Sequence, residues 1–210
     1  MKARSFSHVG ITVRDFNEFV RFYWDVFGCP LVGASDSPTD RVKGFFGVDA
    51  PAPTCKIGWI RVPGGAVLEI FEFQPQQPFV QGPWNRVGMT HFSLNVKGIH
   101  KWHAYLKSKG VTIVSDPMQS PNGGQWFFFI RDCDGNLIEI MDLGKLHYVL
   151  KWLGPLGGWL ARHGYVQDYR RYYLPKPQAS GMDAAALRLR SGQAARKETG
   201  TTGSRSGNTQ

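Results

Sequence analysis

The sequence predicts an α+β fold in which one βαβββ unit is used twice, and three observations carry that prediction. Two strand-like runs, His8-Val9-Gly10-Ile11-Thr12-Val13 and Thr90-His91-Phe92-Ser93-Leu94-Asn95-Val96, each begin at a histidine and lead into an amphipathic helical pattern. Each is answered later by a strand that carries a glutamate after a turn glycine, Gly65-Ala66-Val67-Leu68-Glu69-Ile70 and Gly135-Asn136-Leu137-Ile138-Glu139-Ile140. The copies also keep register. At an offset of 83 His8 matches His91 and Val13 matches Val96; at an offset of 70 Ile60-Arg61 matches Ile130-Arg131 and Glu69-Ile70 matches Glu139-Ile140.

Taken in order, residues 7–13 favour β-branched types and alternate loosely, as a half-buried strand does. Asp15 is placed to cap a helix over 16–27, in which Phe16, Phe19, Val20, Tyr23 and Phe27 recur at three- and four-residue steps. Gly28 takes the helix C-cap place and Pro30 stops continuation. The stretch 33–55, rich in Ser, Asp, Pro and Gly, reads as a long loop with a short strand near 42–48. Strands follow at 57–62 and 67–73 around the turn Pro63-Gly64-Gly65, and the proline-bearing stretch 74–86 is a connector. The pattern then restarts: a strand at 90–96, a helix near 98–109 closed by Gly110, a strand from 111, a loop at 117–124, and strands at 125–131 and 136–142. The expected organisation is thus a paired domain over 5–143, with module one at 5–75 and module two at 88–143, a helical aromatic extension over 144–175, and a disordered tail over 176–210.

Composition narrows the function classes. The 210 residues suffice to bury a proper core. Cys29, Cys55 and Cys133 lack CxxC spacing, which points to a reducing compartment without a disulfide framework. The N-terminal stretch lacks an apolar signal core and no apolar run reaches spanning length, so a soluble cytoplasmic protein away from membranes is expected. The net charge of +9 falls mostly outside the repeats: residues 1–146 carry fifteen basic and thirteen acidic side chains. No basic stripe with interleaved aromatics lies within them, so a nucleic-acid partner is not expected.

The chemistry rests on the order His, Glu, His, Glu. A histidine at a strand start and a glutamate in a neighbouring strand can converge on one face. His8, Glu69, His91 and Glu139 would give two imidazole nitrogens and two carboxylates, a mixed donor set suited to Ni, Co, Mn, Fe(II) or Zn with open positions. Glu72, three residues beyond Glu69, falls on the opposite strand face. His100 and His103 share a helix at a three-residue step and read as an exposed face, while His147 and His163 have no legible partner. Trp126-Phe127-Phe128-Phe129 should alternate between core and site, and Asp132-Cys133-Asp134-Gly135 reads as a turn rather than a nucleophile site.

These motifs, together with Phe22-Tyr23-Trp24-Asp25-Val26-Phe27-Gly28 and Asp132-Cys133-Asp134-Gly135-Asn136-Leu137-Ile138-Glu139, resemble the vicinal oxygen chelate superfamily of glyoxalases, bleomycin-resistance proteins and extradiol dioxygenases. The resemblance implies paired βαβββ modules forming an open, barrel-like cup around a divalent metal, with His8, Glu69, His91 and Glu139 on its four ligand positions. Two His and two Glu are most similar to bacterial glyoxalase I, which implies a lyase or isomerase that moves a proton through a metal-bound enediolate. Glu69 or Glu139 would be ligand and base together, with Glu139 favoured. Alternatives within the resemblance are an extradiol-type dioxygenase, an epimerase, and a non-catalytic ligand-binding protein of bleomycin-resistance type. The partner is a small-molecule substrate, and the aromatic extension is compatible with a homodimer.

Overall fold

The computed structural model describes residues 5–80, 82–121 and 123–163. The expected extension residues beyond 163 and the expected tail lie outside them. Module one runs β1 (His8–Thr12), α1 (Phe16–Phe27), β2 (Leu31–Ser37), α2 (Thr39–Gly44), β3 (Thr54–Arg61) and β4 (Val67–Gln74). Its sheet has the order β1-β4-β3-β2, with β1 parallel to β4 and the other pairs antiparallel. Module two repeats the plan with β5 (Phe92–Asn95), α3 (Ile99–Ser108), β6 (Thr112–Ile113), β7 (Met118–Gln119), β8 (Trp126–Arg131) and β9 (Leu137–Asp142). Its sheet order is β5-β9-β8-β6, with β7 also on β8 and β5 parallel to β9. The doubled βαβββ prediction therefore holds.

Local chemistry explains the helix ends. Asp15 Oδ1 accepts from the Glu18 backbone N–H at 2.7 Å, and Gly28 closes α1 at φ 66°, a left-handed conformation that costs a glycine nothing. The starts of α1 and α3 are also held from their own sheets. Glu72 accepts from the Phe16 N–H at 2.8 Å, and Asp142, its counterpart 70 positions on, accepts from the Gly98 N–H at 2.7 Å. Carboxylates at helix N-termini satisfy otherwise orphaned donors and favour the dipole.

The core lies on the helix side of both sheets. Phe19, Tyr23, Leu68 and Ile70 from module one join Phe128, Ile130, Ile138 and Ile140 from module two in one buried cluster. α1 and α3 meet across it: Phe27 stacks on Trp102 at 6.1 Å, and the Tyr105 hydroxyl donates to the Val26 carbonyl at 3.1 Å. The Tyr23 hydroxyl, fully buried, donates to Asp132 Oδ2 at 3.2 Å. Gly58 on β3 lies under Phe16, where a Cβ would come within 2.5 Å of the ring, so no side chain fits there unless that ring moves.

Two expectations fail. The stretch 33–55 is not a long loop with a strand near 42–48: residues 31–37 form β2 and Thr39–Gly44 form a helix. β2 is a largely exposed edge strand, whose pairing with β3 outweighs its Ser/Gly/Asp composition. α2 anchors through the buried Val42. The expected loop 117–124 contains the short strand β7 as well.

After β9 a helical stretch covers 146–162, formed by α4 (Leu146–Tyr148), a π-helical turn (Val149–Leu153) and α5 (Gly154–Arg162). The chain divides into two compact units after His147. Among the described residues no helix is long and apolar enough to cross a membrane.

Candidate metal centre

Strand register sets which side chains share a face. In module one Gly10 pairs with Glu69 and Glu69 with Trp59; one step along, His8 pairs with Val67 and Val67 with Arg61. Leu68 and Ile70 alternate with these residues and are buried, so His8, Glu69 and Trp59 occupy the face away from the core. In module two Ser93 pairs with Glu139 and Glu139 with Phe129, while Phe128 and Ile130 point to the core. The strand shows 126–129 alternating between the core and the opposite face.

Each module brings its own histidine and glutamate together. His8 Nε2 lies 3.2 Å from Glu69 Oε2, and His91 Nε2 lies 3.7 Å from Glu139 Oε2. The glutamates are mostly covered, with 19% and 13% of the side chain exposed, and His8 is the most open of the four at 50%. Both histidines are backed by the preceding hydroxyl: Ser7 Oγ lies 3.0 Å from His8 Nδ1, and Thr90 Oγ1 lies 2.9 Å from His91 Nδ1. When Nε2 serves as the unprotonated ligand atom, Nδ1 carries the proton and donates to that hydroxyl, the arrangement that orients a metal-binding imidazole. The hydroxyls sit at the same offset of 83 as the histidines and were legible there, although the sequence reading did not use them.

The donor set fits a divalent cation by chemistry. It offers two imidazole rings, each with a hydroxyl at Nδ1, and two carboxyl side chains on partly covered faces. Within one chain the pairs remain two pairs. Among the described residues no three His, Cys, Asp or Glu side chains gather in a metal-holding group.

The pairs differ in what surrounds them. Trp59 Nε1–H donates to Glu69 Oε1 at 2.9 Å, a bond that sequence reasoning missed and that counting across the 63–65 turn would have found. Opposite Glu139 stands Phe129, whose ring packs edge-on to His91 at 5.2 Å and to Trp84 at 5.3 Å. A cavity of about 400 Å³ opens beside His91, lined in part by Trp84, Arg86, Arg131 and Asn136.

The remaining candidates have other work. Glu72 is on the helix side, as its spacing indicated, and caps α1. His100 packs on Trp126 and His103 on Phe128, so the second is half-buried against the sheet instead of lying on an open helix face. His147 meets Asn95 Nδ2 at 3.1 Å, and His163 Nδ1 lies 2.8 Å from the Trp159 carbonyl oxygen; neither is without a partner. Asp132 organises the turn, accepting from the Asp134 and Asn136 backbone N–H groups at 3.0 and 2.9 Å. Burial, followed by the charges of Asp132 and Asp134, pushes the Cys133 thiol up to about 12, so it stays protonated and is no nucleophile at neutral pH.

Comparison with known proteins places this architecture. A family model described as the Glyoxalase/Bleomycin resistance protein/Dioxygenase superfamily matches residues 5–140. A lactoylglutathione lyase of Arabidopsis thaliana is 24% identical over 141 residues, 67% of this chain and 45% of that protein. The chain thus spans less than half the length of this relative. A 2-epi-5-epi-valiolone epimerase of an Actinomyces species is 29% identical over 144 residues, 65% of this chain and 78% of the other. Among solved structures, a glyoxalase family protein from Bacillus cereus superposes with a TM-score of 0.58 at 21% identity, over 69% of this chain and 97% of that one, a likeness of fold.

Proposed function

The chain belongs to the glyoxalase, bleomycin-resistance and dioxygenase superfamily, and we propose that within it this protein is a divalent-metal-dependent lyase or isomerase of the glyoxalase I type. The observation that carries the reading is the doubled pair, His8 with Glu69 and His91 with Glu139, each histidine backed by a hydroxyl. His8, Glu69, His91 and Glu139 would hold Ni, Co, Mn, Fe(II) or Zn. When bound, such a cation supplies Lewis acidity, polarising a substrate carbonyl and lowering the pKa of the adjacent C–H.

The protein's own groups divide the remaining work. Glu139 takes the proton from that carbon and returns it to the neighbouring carbon, or to the opposite face of the same one. Return to the neighbouring carbon is the lyase outcome; return to the opposite face is the epimerase outcome, which the relationship to the valiolone epimerase keeps in view. Glu139 is the carrier because its carboxylate has the His91 ring as neighbour and a phenyl ring across the strand, so it can change partners. Glu69 is instead held on Oε1 by the Trp59 indole N–H. A second copy completes the centre: module one of one chain faces module two of the other in a homodimer, so four ligands meet where one chain offers two pairs.

The test is elemental analysis of protein purified without a metal-affinity tag, followed by assays of a glutathione hemithioacetal and of cyclic hydroxyketone epimers. Near-stoichiometric metal with turnover of either substrate supports the proposal. A metal-free protein that binds planar ligands and turns over neither substrate would establish the non-catalytic alternative. Cleavage of a catechol with Fe(II) would establish the dioxygenase.

A further inference from the structure

We propose that Trp59 is a positioning residue: its indole N–H fixes the Glu69 carboxylate so that only Oε2 is offered to the cation, beside His8. The inference rests on the metal-centre reading above and goes beyond it to a residue that is not itself a ligand.

The geometry supports this from both ends of the carboxylate. Glu69 Oε1 accepts the Trp59 Nε1–H bond at 2.9 Å, while Oε2 lies 3.2 Å from His8 Nε2. Strand pairing presets the contact, since Trp59 and Glu69 are directly opposed in the β3–β4 ladder and share a face. A free glutamate has three rotatable side-chain bonds, and freezing them on metal binding costs affinity. A partner already in place removes part of that cost.

The choice of donor matters as much as its position. Indole N–H donates one hydrogen bond, accepts none and carries no charge. It therefore aims the carboxylate without competing for its negative charge, as an arginine or lysine in the same place would. The repeat supplies an internal comparison: at the equivalent place opposite Glu139 stands Phe129, of similar bulk and without a donor. Trp59 is 51% exposed, so its ring fills no core space that a smaller residue would leave empty. Its hydrogen bond, not its packing, distinguishes it from Phe129.

The experiment measures Co(II) affinity of the full chain by competition with a chromophoric chelator, for wild type, Trp59→Phe, Trp59→His, Glu69→Gln and the double variant Trp59→Phe/Glu69→Gln. Thermal midpoints of the metal-free proteins are recorded alongside. Loss of the donor in W59F should weaken Co(II) binding about 10–100-fold, with W59H, which keeps a ring N–H, recovering most of it. In the E69Q background W59F should change affinity by no more than about twofold, because the indole acts through the carboxylate. W59F that binds Co(II) as tightly as wild type overturns the proposal. So does W59H behaving no better than W59F, or an undiminished effect of W59F when Glu69 is already Gln. Wild-type protein that takes up no Co(II) overturns the metal centre itself, and the proposal with it. That outcome is distinct from a failure confined to the Trp59 variants.

Discussion

The two modules share a frame and differ in what they place on it. In both, a hydroxyl residue backs the histidine and a carboxylate three residues past the paired glutamate holds the start of the helix. The partner of the glutamate differs: Trp59 donates to Glu69, whereas Phe129 offers Glu139 only a ring. The interiors differ in a compensating way. Module one sets Gly58 on its strand under Phe16 of its helix; module two has Phe128 at the strand position and Ile99 at the helix position. The same volume is filled from opposite sides. The repeat thus keeps a histidine beside each glutamate but gives only Glu69 an indole donor, the difference on which the proposed division between fixed ligand and proton carrier rests.

The largest expected effect tests that division. Glu139→Gln should lower kcat about 10²–10⁴-fold and stay low in excess Co(II). Glu69→Gln should act mainly through metal affinity, so that excess Co(II) restores most of the turnover. Steady-state kinetics across a Co(II) titration separates the two, and the reverse pattern would exchange the roles. The packing comparison predicts a smaller, structural effect. Gly58→Ala should cost about 1–3 kcal/mol in denaturant unfolding, and less in a Phe16→Leu background, because the clash is with that ring. Equal costs in both backgrounds would show that the strain lies elsewhere.

Between the modules, Tyr23→Phe should cost about 0.5–1.5 kcal/mol, since Asp132 Oδ2 keeps Asn136 Nδ2 as a donor at 3.0 Å. The smallest effect is a slope with pH. Burial is the main cause holding the Asp132 carboxyl above its ordinary value of 3.8, outweighing the hydrogen bonds from Asn136 that lower it. The folded state then binds this proton more tightly than the unfolded state. Its stabilising contribution is complete below 3.8 and is lost as pH rises through the higher folded value. Unfolding measured across that window should show wild type losing stability relative to Asp132→Asn as pH increases. A difference that stays flat would place the carboxyl at its ordinary value.

Much of the site was legible because it is repeated. His8 with His91 and Glu69 with Glu139 stand out by offset alone, and the apolar neighbours Leu68, Ile70, Ile138 and Ile140 fix which face each glutamate takes. Asp15 and Gly28 announced α1 because capping is local chemistry. What escaped depended on register or on pairing. β2 is held to β3 by backbone hydrogen bonds that its Ser/Gly/Asp composition does not advertise. The Trp59–Glu69 bond spans ten residues of sequence and exists only in the register that the turn between β3 and β4 imposes. A partner of His147 lies 52 positions away in Asn95, beyond any local pattern.

One measurement bears most directly on a metal centre assembled from two chains. His8→Ala/Glu69→Ala removes the module-one pair and His91→Ala/Glu139→Ala the module-two pair. Each double variant is loaded with Co(II) alone and after the two are unfolded and refolded together. If the pairs meet across a twofold dimer, each variant alone is empty, and the mixture regains roughly a quarter of the wild-type Co(II), because half the dimers are mixed and each mixed dimer has one intact site. A mixture as empty as its components, while wild type binds Co(II), would contradict assembly of the centre across two chains.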